Sequence, residues 1–308
     1  MKIQDERRID EDDDDDISKG QMSGEVAFSA LYLIVVWSLV MTMGWKRHQF
    51  CRHRWRPEGD LFLVAFFLLA FGDTFHLVCR FIGYSKGDLD ATTKKANVGI
   101  VGMGAVFTAI TVTFFYIVME IIWHVRFHKP YGWFGWFLFV VALVRFALMT
   151  SPQNDWKESE PSQPWNMIRN IPLLFQGLGV AFLIIRDSIA EKDRAYRWIG
   201  ILIVVSFACY APVVFLIQDM EMLGMLMVPK TIAYVAVGFI AYYRYFSNNA
   251  INEETLNEGG GAAITPMDVE TVLVASKQSA NEGNKQCWQS DRTAKKGAMR
   301  STHNEIGG

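Results

Sequence analysis

Cysteine is scarce: Cys51, Cys79, Cys209 and Cys287 are the only 4 in 308 residues. They form no CxxC pair and no Cys/His cluster with zinc spacing, which argues against a structural zinc site. None falls in a segment assigned below to the outer side, so no disulfide framework is expected. No N-x-S/T sequon occurs, so glycosylation says nothing about sidedness. An excess of one charge is also missing. The 30 Lys and Arg nearly balance the 32 Asp and Glu, which removes the global field that would suggest nucleic acid as a partner. The first two dozen residues are polar and acidic, so no cleavable signal peptide is expected. Nothing in the chain calls for a metal or another cofactor.

Long apolar runs, in contrast, are abundant. Half the residues are hydrophobic (51%), with 22 Phe and 10 Trp. They fall in seven blocks, near 25–45, 60–83, 98–123, 131–150, 167–186, 197–217 and 225–246. Each block has about 20 residues or more, enough to cross ~30 Å of hydrocarbon as a helix. The expected fold is all-α, a polytopic bundle of seven transmembrane helices over residues 25–246. Residues 1–24 carry the run EDDDDD at 11–16 and should be a solvated, disordered tail. Residues 247–308 are polar and rich in Asn, Glu, Gly and Ser, and are expected to form a second disordered tail.

Loop cations set an expected orientation. The connections after blocks 1, 3 and 5 hold Lys46, Arg47, Arg52, Arg54, Arg56, Arg126, Lys129, Arg186, Lys192, Arg194 and Arg197. Those after blocks 2, 4 and 6 hold Lys86, Lys94, Lys95 and Lys157. By the positive-inside rule the first set is cytoplasmic. The amino terminus is then extracytoplasmic and the carboxyl terminus cytoplasmic. Trp45, Trp133, Trp136 and Trp198 sit where a cytoplasmic aromatic belt would lie. Cys51, in the first basic loop, is a candidate for palmitoylation.

The second block, LFLVAFFLLAFGDTFHLVCRFIG from Leu61 to Gly83, carries Asp73, His76 and Arg80 within a ~60° stripe of one helix face. Each costs roughly 2.5–3.5 kcal/mol at the bilayer centre, so the stripe should face the bundle interior. It reads either as a proton relay or ligand row, or as a network that pins helices together. Arg145, Arg169 with Asn170, and Lys230 after Pro229 add further polar groups in the outer half. Together with Asp73, His76 and Arg80 they define a candidate ligand-binding set for phosphate or carboxylate. The alternative is snorkelling to outer headgroups. The loop TSPQNDWKESEPSQPWNMIRNIP, with Trp156 and Trp165, could fold down as a lid or stand as a plain surface loop. Gly99, Gly102 and Gly104 suggest close helix packing or a loosened helix. Glu120 is expected to pair with a loop cation, and Tyr210 with Pro212 to mark a kink.

Known seven-helix families match poorly. CYAP at 209–212 resembles the helix 6 motif of G-protein-coupled receptors, but their acidic-arginine-tyrosine and asparagine-proline motifs are missing. Retinal proteins need a lysine in the middle of helix 7, whereas Lys230 lies near that helix's start. Ceramidase-like zinc hydrolases need several intramembrane histidines, and only His76 lies within a block. The strings FGDTFHLVCR, SPQNDW, RNIP and MLMVPKT resemble segments of a microbial seven-helix membrane family with no assigned activity. That resemblance covers roughly residues 60–245 and implies the architecture without a function.

Four functions fit these features. The first is a transporter or binding protein for a small anionic or amphiphilic ligand held in the outer half of the bundle. The absence of an internal repeat counts against a transporter. The second is a structural or assembly protein, and the third a seven-helix receptor. The fourth is a membrane enzyme acting on lipid headgroups, with Asp73 and His76 as acid and base; it lacks a clear nucleophile or metal site. The expected partners are the lipid bilayer and a small anionic or lipid ligand, with no nucleic acid.

Overall fold

The computed structural model describes residues 27–48, 57–85, 91–154, 156, 163–216 and 225–247; for Arg80, 83–85, 91–98, 163 and 164 it describes the backbone alone. The tails expected at 1–24 and 247–308 lie outside this set, Ser247 apart, and so does Cys51. Seven α-helices account for nearly all of it: α1 (Ala27–His48), α2 (Pro57–Ser85), α3 (Ala91–Phe127), α4 (Gly132–Met149), α5 (Gln163–Ala190), α6 (Arg194–Leu216) and α7 (Met227–Tyr245). A short 3-10 turn, Pro152–Asn154, follows α4. No strand occurs among the described residues.

Lipid explains this uniformity. In hydrocarbon every backbone N–H and C=O must be paired within its own segment, and a helix does so. The first six helices are long and apolar enough to cross a membrane. Their outward faces carry large apolar side chains, including Leu31, Phe71, Leu143, Phe175 and Phe182. A soluble monomer rarely shows so much apolar surface, whereas a lipid-facing bundle requires it. The seventh helix has 19 residues but carries Lys230, Arg244 and four tyrosines, and is not apolar enough to count with the other six.

Several helices run past their apolar blocks. The second starts at Pro57, because proline is suited to the first turn and Glu58 and Asp60 favour the positive end of the helix dipole. The third reaches 37 residues, since Ala91 to Asn97 add about two polar turns before the apolar run.

The helices form a closed ring. Neighbours in sequence from α2 to α7 pack on one another, and α7 returns to α2. On the inside, α3 touches α2, α4 and α5. Close approach is made by glycine. A Cβ on Gly104 would lie 2.8 Å from the Cys79 Cβ and 3.2 Å from the His76 Cα, so α2 and α3 meet backbone to backbone there. Gly72 is likewise seated against Thr111. Between the helices lies an aromatic core that includes Phe62, Phe66, Phe115, Tyr116, Trp123 and Phe207.

The end holding the α1–α2, α3–α4 and α5–α6 connections, called the basic end here, is tied by one carboxylate. Asp193 Oδ1 accepts the backbone N–H groups of Ala195 (3.1 Å) and Tyr196 (3.4 Å), capping α6. Its Oδ2 takes a hydrogen bond from Arg126 of α3 at 2.7 Å and faces Arg244 of α7 at 3.7 Å. Burial would push the Asp193 carboxyl up, but the Arg126 bond and the field of Arg244 outweigh it and hold it below its ordinary value. Trp133, Trp136 and Trp198 are exposed around this end, as an interfacial belt would be.

Candidate functional site

Arg145 decides how the polar residues of the opposite half should be read. It lies one turn from the end of α4, where snorkelling would turn it outward. Instead the residue is 2% exposed, and its Nε and Nη1 have no hydrogen-bond partner among the described residues. A guanidinium normally engages up to five donors, so a buried one left open is a standing attractor for an acceptor. Around it stand the hydroxyls of Tyr116 on α3, Tyr210 on α6 and Tyr234 on α7, all within electrostatic range. Tyr116 and Tyr234 are hydrogen-bonded to each other.

Two more cations lie near Arg145. Lys230 is within electrostatic range of both Arg145 and Asp73. Its Nζ sits 3.8 Å from the centroid of the Tyr210 ring. This cation–π contact holds an ammonium without neutralising it. Arg169 on α5 also interacts electrostatically with Arg145. It donates to Asn166 Oδ1 at 2.9 Å, while its Nη1 is buried without a partner among the described residues. Asn170, one residue on, accepts from the Tyr210 hydroxyl at 3.1 Å and so joins α5 to α6.

Among the described residues Asp73 is the carboxylate within range of Lys230, and it is already engaged. Asp73 Oδ2 accepts the Tyr32 hydroxyl at 2.6 Å, across from α1. One residue later, Thr74 Oγ1 accepts the Trp37 indole N–H at 2.9 Å, a second α1–α2 bond. Of the three cations, Lys230 is the one within electrostatic range of Asp73, while Arg145 and Arg169 face tyrosine hydroxyls and each other. The backbone of Arg80 lies one turn beyond His76 on α2, and its side chain is outside the described residues. His76 is half-buried where α2 meets Gly104.

Trp156, in the connection after α4, packs down onto this end. The Trp156 ring lies 4.2 Å from the Arg169 guanidinium carbon, and its indole N–H donates to the Met149 carbonyl at 3.2 Å. Gly102 on α3 gives it room, because a Cβ there would run into the Trp156 carbonyl. So Gly102 seats Trp156 and Gly104 seats α2, whereas a Cβ on Gly99 would meet nothing within 4 Å. Arg169, for which snorkelling to the headgroups was the alternative, is held under this tryptophan.

The tyrosines are what sequence reasoning missed. Tyr32, Tyr116 and Tyr234 look like ordinary aromatics of apolar blocks, and Tyr210 like a kink marker. A phenol in hydrocarbon must find a partner, and that is the signal that could have flagged them. Glu120 also departs from expectation. The cations of the basic end go elsewhere, Arg186 onto Asp187 (2.8 Å) and Arg126 onto Asp193. Comparison with protein-family models, curated proteins and solved structures returned no match to the chain.

Proposed function

We propose that the chain binds a small anionic or amphiphilic ligand in the chamber of Arg145, Arg169 and Lys230, as a membrane binding protein or transporter. The observation that carries this reading is the buried Arg145 with two unpartnered nitrogens. A guanidinium fork, a second guanidinium and an ammonium suit the oxygens of a carboxylate or phosphate. One hydroxyl of the Tyr116–Tyr234 pair keeps a proton to donate to the same oxygens, while that of Tyr210 is given to Asn170. An apolar tail on the ligand would meet the aromatic core or surrounding lipid. Asn170 orients Tyr210, and Asp73 with His76 sets the depth of the chamber floor on α2.

Binding should appear as stabilisation. Full-length protein in a neutral detergent would be heated with inorganic phosphate or a medium-chain fatty acid, against chloride at equal ionic strength. A ligand at about 100 times its dissociation constant stabilises by about 2.7 kcal/mol, a clear rise in unfolding temperature. Tryptophan emission should change as well, because Trp156 lies on Arg169. Identical melting in chloride and in both probes would remove the reading and favour a structural role.

The orientation belongs to the same proposal. It has α7 as a seventh span, the amino terminus outside and the chamber in the outer half. Tags at residues 1 and 308 should then label from opposite faces of intact cells. Labelling of both from one face would overturn it.

A further inference from the structure

Glu120 lies in the half of the bundle away from Arg145. It is 0% exposed, and neither carboxyl oxygen has a hydrogen-bond partner among the described residues. Across from it, α4 presents Gly135, where even a Cβ would lie 3.2 Å from Oε1. The missing side chain leaves this carboxyl a small space of its own. An ionised carboxylate so placed would strand a charge in a low dielectric, which proteins avoid by keeping the group neutral.

The described residues around it offer no counter-charge but do offer a way out. From the α4 side, Tyr131 lies within electrostatic range of Glu120. From α5, Asp187 accepts the Trp123 indole N–H at 2.7 Å and is clasped by Arg186, so it supplies no cation. On α3 itself His124 is one turn beyond Glu120, on the same face. Its ring stacks on Tyr131 at 4.3 Å between centroids, and its Nδ1 is 2.5 Å from the Lys129 carbonyl oxygen at the basic end. Glu120, Tyr131 and His124 thus run from a closed pocket to the bundle surface.

We propose that Glu120 is a proton-binding site within the bundle, loaded from the basic end past Tyr131 and His124. A proton from water at that end joins the carboxylate to give the neutral acid, and opening of the Tyr131 contact returns it. This proposal shares no residue with the anion set and stands if that reading fails.

The test uses full-length protein in neutral detergent and the apolar probe dicyclohexylcarbodiimide. That reagent takes the O–H proton of a carboxylic acid on nitrogen while the carboxyl oxygen adds to its central carbon. The adduct rearranges to a stable N-acylurea, which peptide mass mapping locates. Glu120 should be labelled at about pH 7, well above the ~4.3 of a solvated glutamate, and labelling should fall only at higher pH. No label on Glu120, or label confined below about pH 5, would overturn the proposal. Infrared difference spectra give a second readout. The wild type should show a protonated-carboxyl band that Glu120→Gln lacks; if that variant does not fold, the wild-type mapping decides. Deuterium exchange of the band should slow several-fold in His124→Ala. Unchanged exchange would refute the entry route.

Discussion

Arg145→Leu is expected to do two things at once: cut the anion-dependent rise in melting temperature by half or more and make the ligand-free protein more stable. The wild-type guanidinium is buried with Nε and Nη1 unpartnered, so it is a cost to folding. Replacing buried charge by a packed apolar side chain is often neutral or stabilising, by about 1–4 kcal/mol. Removing its charge also relieves repulsion from Lys230 and Arg169. The lost charge-assisted bonds should lower affinity by roughly 10–100-fold, corresponding to about 1.5–3 kcal/mol. Thermal melts of wild type and variant, with and without phosphate or fatty acid, would show both effects. If the variant is markedly less stable and responds to the anion as fully as wild type, Arg145 is a brace and the binding proposal fails.

Asp73→Leu should do the reverse. The Tyr32 hydroxyl would lose its acceptor and Lys230 its nearest counter-charge. Leaving a buried donor without its acceptor typically costs about 1–3 kcal/mol. Asp73→Asn keeps an acceptor for Tyr32 and loses only the charge, so its loss should be clearly smaller. Unfolding in detergent, or recovery of folded protein from membranes, would rank the three. A leucine variant as stable as wild type would mean that the Tyr32–Asp73 bond contributes nothing net.

The architecture was readable because lipid leaves the backbone few options. An apolar block of sufficient length is nearly synonymous with a helix. The polar members of those blocks were readable as well, since Asp73, Arg145 and Lys230 are expensive wherever they lie. Their partners were not. That Asp73 takes the Tyr32 hydroxyl depends on the register of α1 against α2, set by side chains such as Trp37 reaching Thr74. Arg145 could be assigned to the interior or to the headgroups from its position alone, and only the packing of α4 resolves the choice. Glu120 shows the same limit. Arg186 could have reached it, but an aspartate sits next to that arginine in the chain, and the adjacent group takes the guanidinium.

The polar make-up of α7 bears on how the protein is assembled. A segment with Lys230 near one end, Arg244 near the other and four tyrosines along it partitions poorly into lipid by itself. Its polar groups find company on neighbours: Lys230 on the Tyr210 ring of α6, Tyr234 on Tyr116 of α3, and Tyr245 on Tyr196 of α6. During synthesis it should therefore leave the translocation channel late, escorted by α6 as a hairpin, and be retained by helices already in place. On the seven-span reading proposed above, the crossing by α7 is then a product of tertiary folding, and quality control in the cell would meet any packing defect first as a failure of that crossing.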